Sequence, residues 1–451
     1  MSQGSALVKA LALLHDPPHK AWIVLGRYGV EPGPGRAHER EARSLAERIL
    51  SGTALEGALS AWNSPAVRRA DRLAASVDRA LLDLRVVREV MGAGGPDRVW
   101  GTVSVANPFS PRVKYRPRPP EPSLIRRFTE ELNSELRNAG DSLEAYHLLY
   151  ALLEPMWWKF VRSIGPADTR IPHHTVFDHL YATASMVNWA AGSEPSGRLV
   201  LFDLAGVQMF INAARKVADY WAGSWIVSAL TWRAVSGLVR ALGPDVLLSP
   251  TARLNPFYIS WVRDRIWSQL DSYFQDRDYP IWPGRARWPV QPVVPATIFL
   301  CLPPGDPADV RGYLIREYER GWELLVEACS QELTAIGMGE ETAGGVFLSA
   351  AAAIRRCARF PPLRARVEWV DIGEVRRELV DLLGGDEEMA NSLLFHYAFL
   401  KIREKMRRWD NAVRIGVGAW ADWSGVSEGI CTSCGVLPAQ VFATPVARGE
   451  E

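Results

Sequence analysis

Cysteine is scarce. Five occur in 451 residues, and Cys301, Cys329 and Cys357 stand alone, which excludes a disulfide framework. No stretch of about 18 consecutive apolar residues is present, and the N-terminus lacks the basic, apolar and small-residue layout of a signal peptide. These absences point to a cytoplasmic chain with no membrane partner. Net charge is also nearly absent, at +1, so any nucleic-acid contact must come from local basic patches. What is present is ordinary globular material: 48% hydrophobic and 23% charged residues. The 18 tryptophans have no functional explanation in the sequence. The length exceeds one hydrophobic core and implies roughly two to four domains.

The chain is organised around Arg198 to Trp232. Leu199 to Phe202 is an apolar run of strand length ending at Asp203, and Gly206 loosens the turn. Val207, Phe210, Ile211 and Ala214 then recur at helical spacing over 207–221. Gly223 marks an expected break before a second helix. The plain structural reading is a core strand and helix with a capping Asp; the functional one is a polar group held at a strand's carboxyl end.

The order Asp203, Gly206, Val207, Gln208, Phe210, Ile211, followed by Ala214 to Lys216, Asp219 and Trp221 to Ser224, resembles the first palm-like domain of the large polymerase-cyclase subunit of type III CRISPR effector complexes, Cmr subtype. The resemblance implies an α+β multidomain chain: a helical HD domain, a ferredoxin-like palm, and a helical domain followed by half a zinc knuckle. The expected divisions are an HD-type nuclease domain over 1–106, a Pro-rich linker over 107–123, the palm with its helical lead-in over 124–305, a helical domain over 306–412, and a Cys-x-x-Cys segment over 413–451.

In the first of these, His15 and Asp16 end an apolar helix that Pro17 and Pro18 stop. Imidazole suits transition metals and a carboxylate can bridge a metal pair, although a His-Asp pair at a helix end also serves as a simple hydrogen bond. Asp71 and Asp78 lie seven apart on one helical face, a pattern equally fitting a solvated acidic stripe matched by Arg72 and Arg79. Together with His15-Asp16, they resemble the permuted HD nuclease domain of the family. That implies metal-dependent cleavage of single-stranded DNA by a metal-activated water, with His15, Asp16 and Asp71 as ligands to Mn, Ni or Mg. His19, His38 and Asp78 are secondary candidates.

The linker, with Arg112, Lys114, Arg116 and Arg118, reads as a stiff solvated spacer or as a strap on nucleic-acid phosphates. His173, His174, Asp178 and His179 have metal-like spacing. The family resemblance instead makes this segment the lead-in to the palm, so they are set aside as ligands. Strands are expected at 246–248 and 295–304, then a nearly all-helical run from about 306 to 410. Within it Gly384-Gly385-Asp386-Glu387 looks like a cyclase hairpin, but its flanks are helical in pattern, which makes the glycines a helix end and Asp386 the next cap. Cys431 and Cys434 form half a zinc site or a pair of free thiols in a turn.

The resemblance covers only the first half of the family's usual length, so the chain is expected to be a truncation or a split subunit. It would supply one wall of an ATP and cyclic-oligoadenylate site, with Asp203 and Gly206 facing the nucleotide, and make no product without a second palm. Implied partners are the other Cmr subunits, CRISPR RNA, target RNA, single-stranded DNA and that second palm-containing half. The alternative is a catalytically inactive scaffold that assembles the ribonucleoprotein. His15, Asp16, Asp71 and Asp78 favour the enzyme; the lone Cys-x-x-Cys favours the scaffold.

Overall fold

A computed structural model describes residues 3–78, 105–115, 118–273, 292–338, 351, 354–355, 358 and 361–412, with short gaps at 32, 34, 108–109, 170–171, 215 and 306. Cys357, Cys431, Cys434, Arg79, Arg116 and most of the expected helix over 345–358 lie outside the described residues.

The N-terminal region is helical. It holds α1 (Gln3–Leu14), α2 (Lys20–Val24), α3 (Ala37–Leu50) and α4 (Pro65–Asp78). The amphipathic α4 buries Val67, Ala70, Leu73 and Ala74, which are spaced by three, three and one, as one helical face requires. The Pro-rich linker carries a short antiparallel hairpin, β1 (Val105–Asn107) with β2 (Ser110–Tyr115). Three helices follow: α5 (Pro122–Leu136), α6 (Ser142–Phe160) and α7 (Val176–Ala190). Thr175 and Asp178 form a reciprocal capping box at the start of α7, which satisfies backbone donors that a helix N-terminus otherwise leaves open.

The central stretch builds a sheet. Its elements are β3 (Arg198–Ala205), α8 (Val207–Asn212), α9 (Val217–Leu242), β4 (Leu247–Ser249), α10 (Pro256–Arg265), β5 (Thr297–Leu302), α11 (Pro307–Leu333) and β6 (Arg364–Asp371). The strands lie in the order β4-β5-β3-β6, with every neighbouring pair antiparallel. With helices between β3 and β4 and between β5 and β6, this is a split β-α-β connectivity. β3 is central and buried on both faces from Leu199 to Leu204, which explains its continuous apolar run.

Three sequence expectations change here. β3 does not stop at Asp203 but continues through Ala205. The helical break falls at residues 213–216, and α9 runs uninterrupted through Gly223. There a Cβ would make ordinary contact with Ile211 and Phe210 at 3.7 and 3.8 Å, so α8 packs against α9 at this point without requiring the glycine. The run over 306–412 is not all helical, because β6 pairs along its full length with β3. The sheet unit therefore extends past residue 305 to Asp371.

The Gly-Gly-Asp-Glu string joins α12 (Ile372–Leu382) to α13 (Glu387–Ala412). Gly384 and Gly385 have φ of 66° and 94°, the left-handed conformation of a helix C-terminus. Asp386 accepts from the Met389 amide at 2.9 Å and caps α13. α13 packs back against α4. A buried network also joins the helical region to the sheet. Lys9 of α1 donates to Asp245, before β4, at 2.7 Å, and Tyr146 of α6 and Asn188 of α7 donate to the same carboxylate. Among the described residues, no helix is long and apolar enough to cross a membrane.

Candidate metal centre

Three helices bring six polar side chains to one place. α1 packs on α7 and α4 packs on α7. α1 delivers His15 and Asp16 just past its C-terminal end, where the two prolines turn the chain away. α4 delivers Asp71 and Asp78. α7 delivers His179 from its first turn, and the residues before it deliver His174. The seven-residue spacing of the two aspartates puts one carboxylate at each nitrogen of the His179 ring.

The distances define a continuous cluster. His179 Nδ1 lies 2.7 Å from Asp78 Oδ2, and its Nε2 lies 3.1 Å from Asp71 Oδ1. His15 Nε2 lies 3.6 Å from Asp16 Oδ2 and 3.7 Å from Asp71 Oδ1. His174 Nε2 lies 3.3 Å from Asp78 Oδ2. Two triads, His15–Asp16–His179 and Asp78–His174–His179, each have ligand-capable atoms within 4.8 Å of one another.

The electrostatics follow from this packing. Burial works against a charge on His179, but hydrogen bonds to Asp71 and Asp78 and the nearby Asp16 carboxylate push its pKa up to about 9. Burial alone would raise the carboxyls; instead Lys20, His15 and His179 hold Asp16 at about 2, and His174 and His179 hold Asp78 at about 2. Asp71 is likewise kept well below the usual carboxylate range by His15 and His179 against its own burial. Its side chain is 47% exposed, which marks the mouth of the cluster.

The donor set fits a divalent metal, and two orphaned atoms support the fit. His15 Nδ1 lies 2.7 Å from the Ala12 carbonyl. A carbonyl only accepts, so Nδ1 carries a proton and Nε2 is the nitrogen left to face the carboxylates. That Nε2 is buried without a hydrogen-bond partner, and so is His174 Nε2. Two ring nitrogens turned toward carboxylate oxygens leave a place for a cation between them. A backbone acceptor on the distal nitrogen is also how metal-binding histidines are usually oriented.

The other candidates lie elsewhere. His19 is fully buried, with Nε2 3.3 Å from Glu41 and its ring stacked on Trp157. His38 sits in the first turn of α3 and belongs to neither triad. Asp178 spends its oxygens on the Thr175 cap and on Arg253. Asp203, expected at a nucleotide pocket, is directly opposite Arg366 in the sheet. Its Oδ2 accepts from Arg366 Nε at 3.0 Å and its Oδ1 from Thr297 at 2.6 Å, so both oxygens tie strands together. Gly206 takes φ of 95° at the start of α8. Sequence reasoning set His174 and His179 aside, yet they complete the cluster. The available signal was the match between His174, His179 and the Asp71/Asp78 stripe as two halves of one polar seam.

The chain combines a split β-α-β sheet with a helix-borne His/Asp cluster. Residues 199–328 match the family described as CRISPR-associated protein Cmr2, N-terminal. Over 96% of its length, the chain is 28% identical to the CRISPR system CMR subunit Cmr2 of Saccharolobus solfataricus, covering 44% of that protein. A segment covering 21% of the chain is 33% identical to the Cmr subunit Cmr2 of Pyrococcus furiosus, covering 10% of it. In structure it resembles a subunit of the type III-B Cmr-beta complex in its apo state, with a TM-score of 0.68 and 24% identity over 96% of this chain and 45% of that one. The resemblance read from the sequence therefore holds, and the chain spans less than half the length of the relatives it matches.

Proposed function

We propose that this chain is the N-terminal part of a type III-B large subunit and that its His/Asp cluster is the centre of a metal-dependent, single-strand DNA nuclease. The carrying observation is the pair of triads sharing His179, with two buried ring nitrogens left unpartnered. His15, Asp16 and His179 would hold one divalent metal, and Asp78, His174 and His179 offer a second set. Such a metal supplies Lewis acidity toward a phosphate and lowers the pKa of water. The chain's own residues do the rest. Ala12 fixes the His15 tautomer, the Asp178 cap fixes the start of α7, and Asp71 at the mouth offers a carboxylate to a proton near the entering strand.

The split β-α-β sheet supports the ferredoxin-like palm reading. Beside Gly206, the α8–α9 surface leaves Met209, Val217, Tyr220 and Trp221 exposed, an apolar face suited to a second palm-containing half. The nucleotide wall, on this reading, is formed by Gly206 and its helix, with Asp203 supporting it from inside the sheet. Other Cmr subunits, CRISPR RNA and target RNA are the proposed partners, and zinc at Cys431 and Cys434 the proposed C-terminal ion. One observation favours the scaffold alternative: both nitrogens of His179 are already satisfied by Asp71 and Asp78, so the cluster can close without a metal.

The deciding experiment is manganese-dependent cleavage of labelled single-stranded DNA by the purified chain beside a His15→Ala, Asp16→Ala double variant. Cleavage lost in the variant supports the nuclease. No cleavage by either folded protein supports the scaffold.

A further inference from the structure

Asp16 Oδ2 is a contested atom. The unpartnered His15 Nε2 lies 3.6 Å from it, on the cluster side. On the other side Lys20 Nζ donates to it at 2.5 Å. The chain between them is fixed: Pro17 and Pro18 end α1, and the Lys20 amide donates to the Pro17 carbonyl at 2.8 Å, so α2 begins with Lys20 facing back. The Asp16 side chain is buried, whereas that of Lys20 is 22% exposed. The ammonium therefore reaches inward from a stem that communicates with solvent.

An ammonium and a divalent cation drawn to the same carboxylate oxygen compete for its charge. Two like charges a few ångströms apart repel each other strongly in a partly buried site. Lysine is a compact point charge on a flexible stem, so it can retreat without unfolding α2. Its exposed side gives it a way out, and a nucleic-acid strand would bring phosphate to a metal-loaded site.

We propose that Lys20 is a built-in counter-cation that holds Asp16 in the metal-free protein, yields it to an entering divalent metal, and then binds a phosphate oxygen of the DNA strand. The first part rests on geometry alone; the phosphate role rests on the nuclease reading.

The test is calorimetric titration of Mn(II) into the full chain, comparing the parent protein with Lys20→Met and Lys20→Arg, each checked by thermal melting. Removing the competing cation makes Lys20→Met bind Mn(II) about tenfold tighter. Lys20→Arg, which keeps a cation on the carboxylate, stays at or below parental affinity. Unchanged or weaker binding by Lys20→Met overturns the proposal. In a second arm, labelled oligothymidylate is cleaved at saturating Mn(II). Lys20→Met raises KM and loses about 100-fold in kcat/KM, and Lys20→Arg recovers part of it. Tighter metal binding with parental cleavage rejects the phosphate role. If the parent binds Mn(II) but cuts nothing, the nuclease reading and the phosphate role fall, while the affinity comparison still decides the tether. If the parent binds no metal, both are overturned.

Discussion

Two polar clusters lie within the same helices, and they are built in opposite ways. At one end of α1 and α7, Lys9 and Asn188 converge on Asp245 with Tyr146, and both carboxylate oxygens receive donors at 2.7–2.8 Å. Lys9 also donates to the Leu242 carbonyl at 2.6 Å. That network is closed and almost wholly buried. At the other end, the same two helices present His15, Asp16 and His179, where His15 Nε2 and the neighbouring His174 Nε2 are buried without a hydrogen-bond partner. A satisfied buried network fixes a fold. An under-satisfied one, at a half-open mouth, is poised for a ligand. The closed cluster anchors α1 and α7 so that the open one keeps its geometry.

The largest expected effect comes from breaking the closed cluster. Asp245→Ala leaves the Lys9 ammonium buried without its carboxylate and should cost about 3–5 kcal/mol in a urea unfolding transition. A double change, Lys9→Met with Asp245→Leu, should recover most of that loss, because replacing both partners with apolar groups removes the stranded charge. If Asp245→Ala unfolds no more easily than the parent, the anchor reading fails.

Breaking the open cluster should act on metal rather than on folding. His179 belongs to both triads, so His179→Gln should weaken Mn(II) binding by about 100-fold or more, read by calorimetry. Retention of parental affinity would remove His179 from the ligand set.

Acidity should separate the clusters further. The raised pKa of His179, about 9 against 6.5 for the free group, gives the metal-free protein stability that is fully present below pH 6.5 and is lost as pH rises through about 9. Asp16 and Asp78, depressed from 3.8 to about 2, add stability that is present above pH 3.8 and is lost as pH falls through about 2. Metal-free stability should therefore be greatest between about pH 4 and 6.5. Because Mn(II) competes with the proton on His179, the rise in melting temperature on adding metal should grow from pH 6.5 to 9. A metal-induced shift independent of pH in that window would contradict the assignment.

Much of this was legible in the sequence where the signal was local. The apolar run of β3, the α4 aspartates seven apart and the Gly-Gly helix end all rest on short-range periodicity or backbone conformation. β6 was not legible in the same way. Its eight residues carry Arg364, Arg366 and Glu368 among apolar positions, and only Val367 and Val370 are buried, too few to mark a strand between helical neighbours. Asp203 misled for a related reason: a carboxylate at an apparent strand end suggests a pocket, and only the register with Arg366 shows it working within the sheet. His179 required knowing that α7 lies against α4, a tertiary fact that no local spacing contains.

The smallest effect should come at His19, three residues from Asp16 in sequence but turned the other way. Its ring packs 4.4 Å from Tyr28 and nearly parallel to Trp157, and burial, opposed in part by Glu41, lowers its pKa. It is therefore a neutral, stacked core ring. Phenylalanine preserves that stacking, and Glu41 keeps a neighbouring cation in Arg48 at 3.6 Å. His19→Phe should change stability by less than about 1 kcal/mol and leave Mn(II) affinity within about twofold, well inside one RT-scale step. A tenfold loss of metal affinity instead would mean that the open cluster reaches past Asp16 into α2, and that its boundary with the closed core is drawn in the wrong place.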